Sequence, residues 1–275
     1  VVMGQFLSNS LALVTIYLLY KFTMGSMFSL AWVYGLCFIT SSAVLTGALF
    51  KSRPDLRPRY KSFERERVKP LLSLGAKFFA VQMGVLIIFT SDRILIVQLL
   101  GPVNVTTYEI LFKLFMIFTV LHNLTLVPLW PAYSEAFVRR DYQWIKTQLK
   151  QQLCFVLFLF VGAILMALAG PLIVKFWIGD QVQIAQGSYF LFAVFVGLLA
   201  WSNIFAYFTN AINRLDVQLA TATVGAALNI PLSVLFVKVG DLGLNGILLA
   251  TLVSISLYGV LGPIQVFRIL RKGDQ

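Results

Sequence analysis

Apolar stretches long enough to cross a lipid bilayer recur along nearly the whole chain, separated by short polar breaks. A helix needs about 20 apolar residues to span the hydrocarbon core, where lipid offers the backbone no hydrogen-bond partner. Such stretches must therefore form helices or a closed barrel. They are too long and too uniformly apolar for barrel strands, which alternate in polarity and run to about 10 residues. The sequence predicts an all-α, polytopic transmembrane helical bundle.

Composition supports this class, because 59% of the residues are hydrophobic and only 12% are charged. Soluble domains are about 45–50% apolar and about 25% charged. Gly and Pro cluster with polar residues at the breaks, as at Gly101-Pro102, and mark the turns. Eight spans are predicted, at residues 3–20, 27–50, 71–100, 103–130, 153–177, 189–207, 219–237 and 244–267.

Basic residues concentrate in every second connection between these spans. The segment 51–69 holds many more Lys and Arg than acidic residues, and Arg140, Arg214 and the tail from Arg268 continue the pattern. Because Lys and Arg hold connections on the cytoplasmic side, these segments are predicted to be cytoplasmic. The run 51–69 lacks a nucleic-acid-binding fold or stacking motif, so we expect membrane lipids and no nucleic acid as its neighbours.

Ionisable side chains inside the predicted spans are the strongest candidates for function, since each costs roughly 2.5–3.5 kcal/mol at a helix centre on insertion scales. Those that persist usually face a bundle interior or a wet cavity. Here they cluster in two successive spans, with Lys77, Asp92 and Arg93 on the first and Glu109 and Lys113 on the second.

Each of these residues has a structural interpretation beside the functional one. Lys113 lies roughly 15 Å from the outer end of its span, where Glu109, four residues earlier, is its expected ion-pair partner. Lys77 is only about 9 Å from the cytoplasmic end, so its ammonium could simply reach the headgroups. Asp92 and Arg93 could form the polar outer end of a long helix.

The single histidine and the two cysteines are weaker candidates for function. His122 has an unperturbed pKa near 6.5 and could be a proton site, although a hydrogen-bonded packing role is favoured. Cys37 and Cys154 have neither metal-ligand spacing nor a partner, so they are predicted to be packing residues. No cofactor or metal is expected.

Short motifs carry a family resemblance. A first run of matching residues lies in the third and fourth spans. It is followed by Pro131 to Glu135 with Asp141, by the stretch 177–179, and by Asn229 to Leu232. Their order and spacing resemble those of Wzx-type polysaccharide flippases of the multidrug/oligosaccharidyl-lipid/polysaccharide superfamily. The first run consists of residues 91–96, Gly101, Tyr108 and Lys113-Leu114, and the last matches are Gly240, Gly243, Gly246 and Ala250-Thr251.

The resemblance implies two six-span bundles joined by a basic connection. Residues 1–50 would be the last two spans of the amino-terminal bundle, 51–70 a basic cytoplasmic linker, and 71–275 the complete carboxy-terminal bundle with a cytoplasmic tail. Because Val1 runs almost directly into a span, about four upstream spans are expected to be missing. The implied location is the bacterial cytoplasmic (inner) membrane.

The implied activity is the flipping of undecaprenyl-pyrophosphate-linked oligosaccharides by alternating access, for O-antigen or other polysaccharide biosynthesis. Lys77, Arg93 and Lys113 are predicted to bind the anionic substrate, because the interior set has a slight basic excess. Asp92 and Glu109 are predicted to couple transport to a cation. The sequence does not distinguish protons from sodium as that cation.

Two other functions compete. A drug/cation antiporter of the same superfamily would have a site lined by acids and aromatic residues. A membrane-embedded polysaccharide polymerase or ligase would need catalytic groups on a sizeable loop. The loops here are short and hold no paired carboxylates or nucleophile motif, so the chain is not expected to be an enzyme.

Overall fold

The structure is a computed structural model that describes residues 2–22, 26–59, 63–179, 182 and 184–273. All regular structure in these residues is helical, and each predicted span lies inside one α-helix, which confirms the all-α class. The α-helices are α1 (Val2–Phe22), α2 (Met27–Ser52), α3 (Arg65–Leu100), α4 (Pro102–Val138), α5 (Tyr142–Ile178), α6 (Gln186–Ala211), α7 (Asp216–Lys238) and α8 (Gly243–Gly273).

Among the described residues, seven helices, α2 to α8, are long and apolar enough to cross a membrane, whereas α1 has a shorter apolar stretch, Ser8–Leu18. The chain is therefore a multi-pass membrane protein. Three helices are much longer than the bilayer requires: α3 has 36 residues, and α4 and α5 have 37 each. At 1.5 Å per residue they are about 55 Å long, against a hydrocarbon core of about 30 Å. Their ends extend into the polar regions.

Local signals fix the helix ends. Gly101 has a φ of 89°, which suits glycine, and Pro102 opens α4 at a position where a missing N–H costs nothing. Asp141 caps α5 by accepting a hydrogen bond from the backbone N–H of Trp144 at 3.0 Å. Helices α4 and α5 are thus joined by a turn of three residues, with Arg140 in the left-handed region.

The chain forms two compact units, Val1–Arg67 and Val68–Gln275. In the first, α1 packs on α2. The Tyr34 hydroxyl donates to Asn9 Oδ1 at 3.2 Å, and the buried Cys37 lies 3.8 Å from the Thr15 hydroxyl. Cys37 is a packing residue, as predicted. Cys154 is exposed on α5, so that prediction is wrong for it.

The basic linker follows α2 with a short 3-10 turn, Pro54–Leu56. Arg53 and Asp55 form an exposed ion pair of 2.9 Å, and the guanidinium lowers the pKa of the Asp55 carboxyl below its ordinary value of 3.8. Because the shift is downward, Asp55 stays ionised at any pH above that ordinary value, and the pair is lost only as the pH falls below it.

The second unit is a bundle of α3 to α8 with two buried clusters. One contains Tyr108, Phe115 and Phe192 and packs α4, α5, α6 and α8 together with α3. The other contains Tyr133 and Phe208 and lies towards the ends of the helices that the basic turns join. Aromatic rings meet edge to face in both, as at Tyr108–Phe192 with centroids 5.5 Å apart.

Two glycines bring α7 close to its neighbours. A Cβ on Gly225 would lie 2.9 Å from the Ser254 carbonyl oxygen of α8, and one on Gly84 of α3 would lie 3.0 Å from the Ala222 Cβ. Only glycine permits such backbone approaches without displacement. They hold α3, α7 and α8 side by side where the polar side chains described next come together.

Candidate functional site

Asp92 is the centre of the candidate site. It lies on α3, and its side chain is completely buried. Two hydroxyls donate hydrogen bonds to its Oδ2 atom: that of Thr251 on α8 at 2.8 Å and that of Tyr108 on α4 at 3.3 Å. The second oxygen, Oδ1, has no hydrogen-bond partner in the described part of the chain. The interpretation of Asp92 as the polar outer end of a helix is therefore wrong.

A second layer of polar side chains supports these contacts. The Asn229 amide on α7 donates to the Thr251 hydroxyl at 3.1 Å, and its Oδ1 atom lies 3.1 Å from the Ser91 hydroxyl. We call Ser91, Asp92, Tyr108, Asn229 and Thr251 the Asp92 cluster. Its polar contacts connect α3 to α4, α7 and α8. Ser233, one turn after Asn229, is also buried, and its hydroxyl oxygen has no partner among the described residues.

The composition of the cluster limits its chemistry. One buried carboxylate amid neutral hydroxyl and amide groups cannot remain charged at low cost without a cation. The carboxyl can take up a proton, or the oxygens of Asp92, Asn229, Thr251 and Ser233 can supply the hard ligands that an alkali cation prefers. In the residues that the structure describes, no group of three His, Cys, Asp or Glu side chains could hold a transition metal.

The side chain of Arg93, the next residue, has different neighbours from that of Asp92. Its Nε lies 2.5 Å from Glu109 Oε1 on α4, and its Nη1 donates to the Phe89 carbonyl at 2.9 Å. The guanidinium also lies 5.1 Å from the centre of the Phe112 ring. About a third of each side chain in this ion pair is exposed, 38% for Arg93 and 30% for Glu109, so the pair is at the open edge of the bundle.

The partner of Glu109 corrects the sequence prediction. Lys113, four residues away on the same helix, is the partner that the sequence predicts. In the structure Glu109 forms its ion pair with Arg93 instead. The reason is tertiary: the Tyr108–Asp92 contact holds α3 against α4, which brings the longer, forked guanidinium within reach. Lys113 is exposed on α4, one turn from Glu109.

Lys77 stands apart from the other predicted substrate ligands. It forms an ion pair of 2.7 Å with Asp216, the first residue of α7, and both side chains are well exposed. Sixteen residues of helix, about 24 Å, separate Lys77 from Arg93. The structure thus brings together Asp92, Arg93 and Glu109, with Lys113 close by, but not Lys77.

His122, the candidate proton site, is buried at the interface of α4 and α5, where its ring packs near that of Phe155 with centroids 6.3 Å apart. It is more than two turns of α4 beyond Lys113. It packs between these helices, outside the Asp92 cluster. Neither ring nitrogen has a hydrogen-bond partner among the described residues, so the expected hydrogen bond is not formed.

A buried carboxylate within a bundle of long apolar helices is an arrangement found in membrane transporters. Solved structures with this fold include an outward-facing multidrug resistance MATE family transporter of the MOP superfamily (TM-score 0.76, 16% identity) and MATE in the bent conformation (TM-score 0.79, 14% identity). Each similarity covers 99% of this chain, and 62% and 63% of those chains, respectively. The chain therefore has the fold of MOP-superfamily transporters and spans under two thirds of their length.

A second comparison concerns the sequence. Residues 1–137 match the family described as polysaccharide biosynthesis protein. The match includes α1 to α3 and nearly all of α4, and thus Asp92, Arg93, Glu109 and Lys113. The resemblance drawn from the sequence is confirmed. A search among curated proteins found no significant match.

Proposed function

We propose that the chain is part of a Wzx-type flippase, which moves undecaprenyl-pyrophosphate-linked oligosaccharides across the bacterial cytoplasmic membrane by alternating access. The carrying observation is the pairing of a buried carboxylate, Asp92, with an adjacent open cationic edge formed by Arg93 and Lys113. The first group can bind and release a cation, and the second can attract an anion. The match to polysaccharide biosynthesis proteins supports a sugar-containing substrate.

The cationic edge suits a pyrophosphate. Lys113 is exposed, has no ion-pair partner among the described residues, and lies about 17 Å along α4 from Pro102, well inside the bilayer. Arg93 is paired with Glu109, so Arg93, Glu109 and Lys113 together give the edge one net positive charge. A guanidinium and an ammonium bind phosphate oxygens well, and the low dielectric of the surroundings strengthens the attraction. Lys77 has its own partner, so the proposal rests on Arg93 and Lys113.

Coupling is assigned to the Asp92 cluster. With a proton or Na⁺ bound, the cluster is neutral. Without the cation, the buried negative charge of Asp92 faces Thr251 and Tyr108 and attracts the neighbouring Arg93 guanidinium. Because Arg93 is adjacent on α3, a change of charge at Asp92 alters the Arg93–Glu109 pair at the open edge. Cation binding at one position and anion binding at the other are thereby linked through one helix.

A drug/cation antiporter is the second candidate, favoured by the fold shared with a multidrug resistance transporter. The two proposals differ in the role of Lys113. A cationic drug gains nothing from an exposed ammonium, so Lys113→Ala leaves its efflux unchanged or faster. Flipping of a pyrophosphate-linked substrate loses a charge-assisted contact worth about 1.5–3 kcal/mol, roughly tenfold or more in rate.

The test uses the complete protein in lipid vesicles with a pyrophosphate-linked oligosaccharide, and measures the sugar that becomes accessible to an external lectin per folded transporter. We expect Lys113→Ala to slow flipping about tenfold and Lys113→Arg to retain part of the rate. Lys238→Ala, at the last residue of α7 and also exposed, is the matched control. Normal flipping by Lys113→Ala, or cation efflux with no flipping, would contradict the proposal.

A further inference from the structure

A cavity of about 130 Å³ lies inside the second unit, between α3, α6, α7 and α8. Most of its wall is apolar, from residues such as Val85, Phe89 and Leu199. Polar side chains from three helices interrupt that wall: Ser202 and Asn203 from α6, Gln218 and Thr221 from α7, and Ser254 from α8. The volume is sufficient for several water molecules.

The cavity begins where the Asp92 cluster ends. Its wall includes Ile88, one turn before Asp92 on α3, and Ser254, one turn after Thr251 on α8. At the other end the wall includes Gln218, two residues from the start of α7. The distance along α7 from Gln218 to Asn229 is about 17 Å. The cavity therefore covers most of the path from the cluster to the helix ends that are predicted to be cytoplasmic.

Polar atoms in the wall lack protein partners. The hydroxyl oxygen of Ser202 and the Oε1 atom of Gln218 are buried, and neither has a hydrogen-bond partner in the described part of the chain. The Thr221 and Ser254 hydroxyls donate to carbonyls of their own helices, which leaves their oxygens able to accept. Buried polar atoms are nearly always paired with protein or ordered water. An apolar cavity of this size stays dry, but one lined in this way holds water.

The opposite side of Asp92 is closed. Ile96, one turn further along α3, is completely buried, as are Leu111 and Phe115 on α4. These side chains belong to the cluster that contains Phe192 and fills the bundle beyond the carboxylate. Near Asp92, the titratable group on α4 is Tyr108, which donates to it, and the charged groups are Arg93 and its partner Glu109. The described side chains that α7 and α8 contribute to the cluster, Asn229 and Thr251, are neutral.

An ion pair lies at the inner end of the cavity. Lys77 is one turn before the wall residue Val81 on α3, and Asp216 is two residues before Gln218 on α7. Their contact of 2.7 Å links the two helices that flank this end. We infer that the cavity is a water-filled access path through which a proton or Na⁺ exchanges between Asp92 and the cytoplasm, with the Lys77–Asp216 pair across its mouth. The inference rests on the proposed coupling role of Asp92 and adds the route and the side of exchange.

The experiment uses Ag⁺, a small monovalent cation that binds thiols tightly, on the complete protein with Cys37, Cys154 and any other cysteine replaced by Ser. Ser254→Cys places a thiol in the cavity wall with little change in volume, and Ser202→Cys does so from α6 as a second probe. Val253→Cys is the matched control, because this neighbouring position lies outside the cavity wall, on the exposed apolar surface of α8. Reaction is measured as the thiols left for maleimide after denaturation.

We expect Ag⁺ added to the cytoplasmic face to react with both cavity thiols at least tenfold faster than Ag⁺ added to the outer face, and Val253→Cys to stay unreacted. Asp92→Asn should slow the reaction of Ser254→Cys severalfold, because a buried carboxylate attracts the cation. Reaction from the outer face only, no reaction at either thiol, or a rate indifferent to Asp92→Asn would overturn the inference. Survival of gradient-driven flipping in Asp92→Asn would instead refute the coupling role, whatever the labelling result.

Discussion

The Thr251 hydroxyl on α8 donates a hydrogen bond of 2.8 Å to the carboxylate of Asp92 on α3, although the two residues are 159 positions apart in the chain. The same hydroxyl accepts a hydrogen bond from Asn229 on α7. One small side chain therefore connects the buried charge to two other helices, and its loss should affect both stability and the response to a cation gradient.

Thr251→Val keeps the shape of the side chain and removes its hydroxyl. We expect the free energy of unfolding to fall by about 1–3 kcal/mol, because Asp92 and Asn229 each lose a buried partner. Thermal unfolding in detergent measures this. Thr223→Val is the control, since the Thr223 hydroxyl is exposed and bonds only to the Leu219 carbonyl of its own helix. Equal, small effects of both variants would show that the Asp92 contact adds no stability.

Asp92→Asn replaces the carboxylate by an amide of the same shape. Because the buried negative charge disappears without creating a void, we expect unchanged or higher thermal stability together with loss of gradient-driven flipping. Exchange of substrate without a gradient should continue. Both rates are measured in the same vesicles. Asp241→Asn is the control: this exposed residue has a φ of 51°, a conformation that Asn adopts readily. A gradient-driven rate equal to that of the unchanged protein would contradict the assignment.

The spans could be predicted from the sequence, but the helix ends could not be predicted from hydropathy. Hydropathy reports where the hydrocarbon begins, whereas a helix continues until capping signals stop it. Helix α5 was predicted from residue 153 yet starts at Tyr142, immediately after its cap Asp141. The start of α5 is set by the Asp141 cap, a signal that the sequence contains and that hydropathy does not report.

The charged residues of the site were predicted because charge inside lipid is costly, but their partners were not. The spacing of four residues between Glu109 and Lys113 predicts an ion pair within α4. Spacing along one helix gives no information about an arginine on another helix. In the sequence, Asn229 and Thr251 stand out only as parts of the family motifs, because nothing local indicates that a threonine near the chain end contacts Asp92. Such contacts depend on how α3, α7 and α8 pack.

A double-mutant cycle tests the Arg93–Glu109 pair. Because both side chains are about one third exposed, we expect a coupling energy near 1 kcal/mol, smaller than for a fully buried pair. Arg93→Ala alone and Glu109→Ala alone should lower the level of folded protein, and the double variant should recover it. Flipping should remain low in the double variant, because the anion ligand Arg93 is absent. Recovery of flipping together with folding would leave the pair a purely structural role.

Loss of the Lys77–Asp216 pair should change access rather than stability. The two side chains are 41% and 64% exposed, so the pair contributes no more than about 1 kcal/mol, and Lys77→Gln should unfold near the same temperature as the unchanged protein. If the pair lies across the inner mouth of the cavity, Lys77→Gln should speed the reaction of Ser254→Cys with cytoplasmic Ag⁺, since it removes both the contact and a repelling ammonium. Lys69→Gln, two turns earlier on α3 and also exposed, removes the same charge at a distance and serves as the control. Equal acceleration by both substitutions would attribute the effect to general charge at the cytoplasmic surface, and no acceleration by Lys77→Gln would remove the ion pair from the access path.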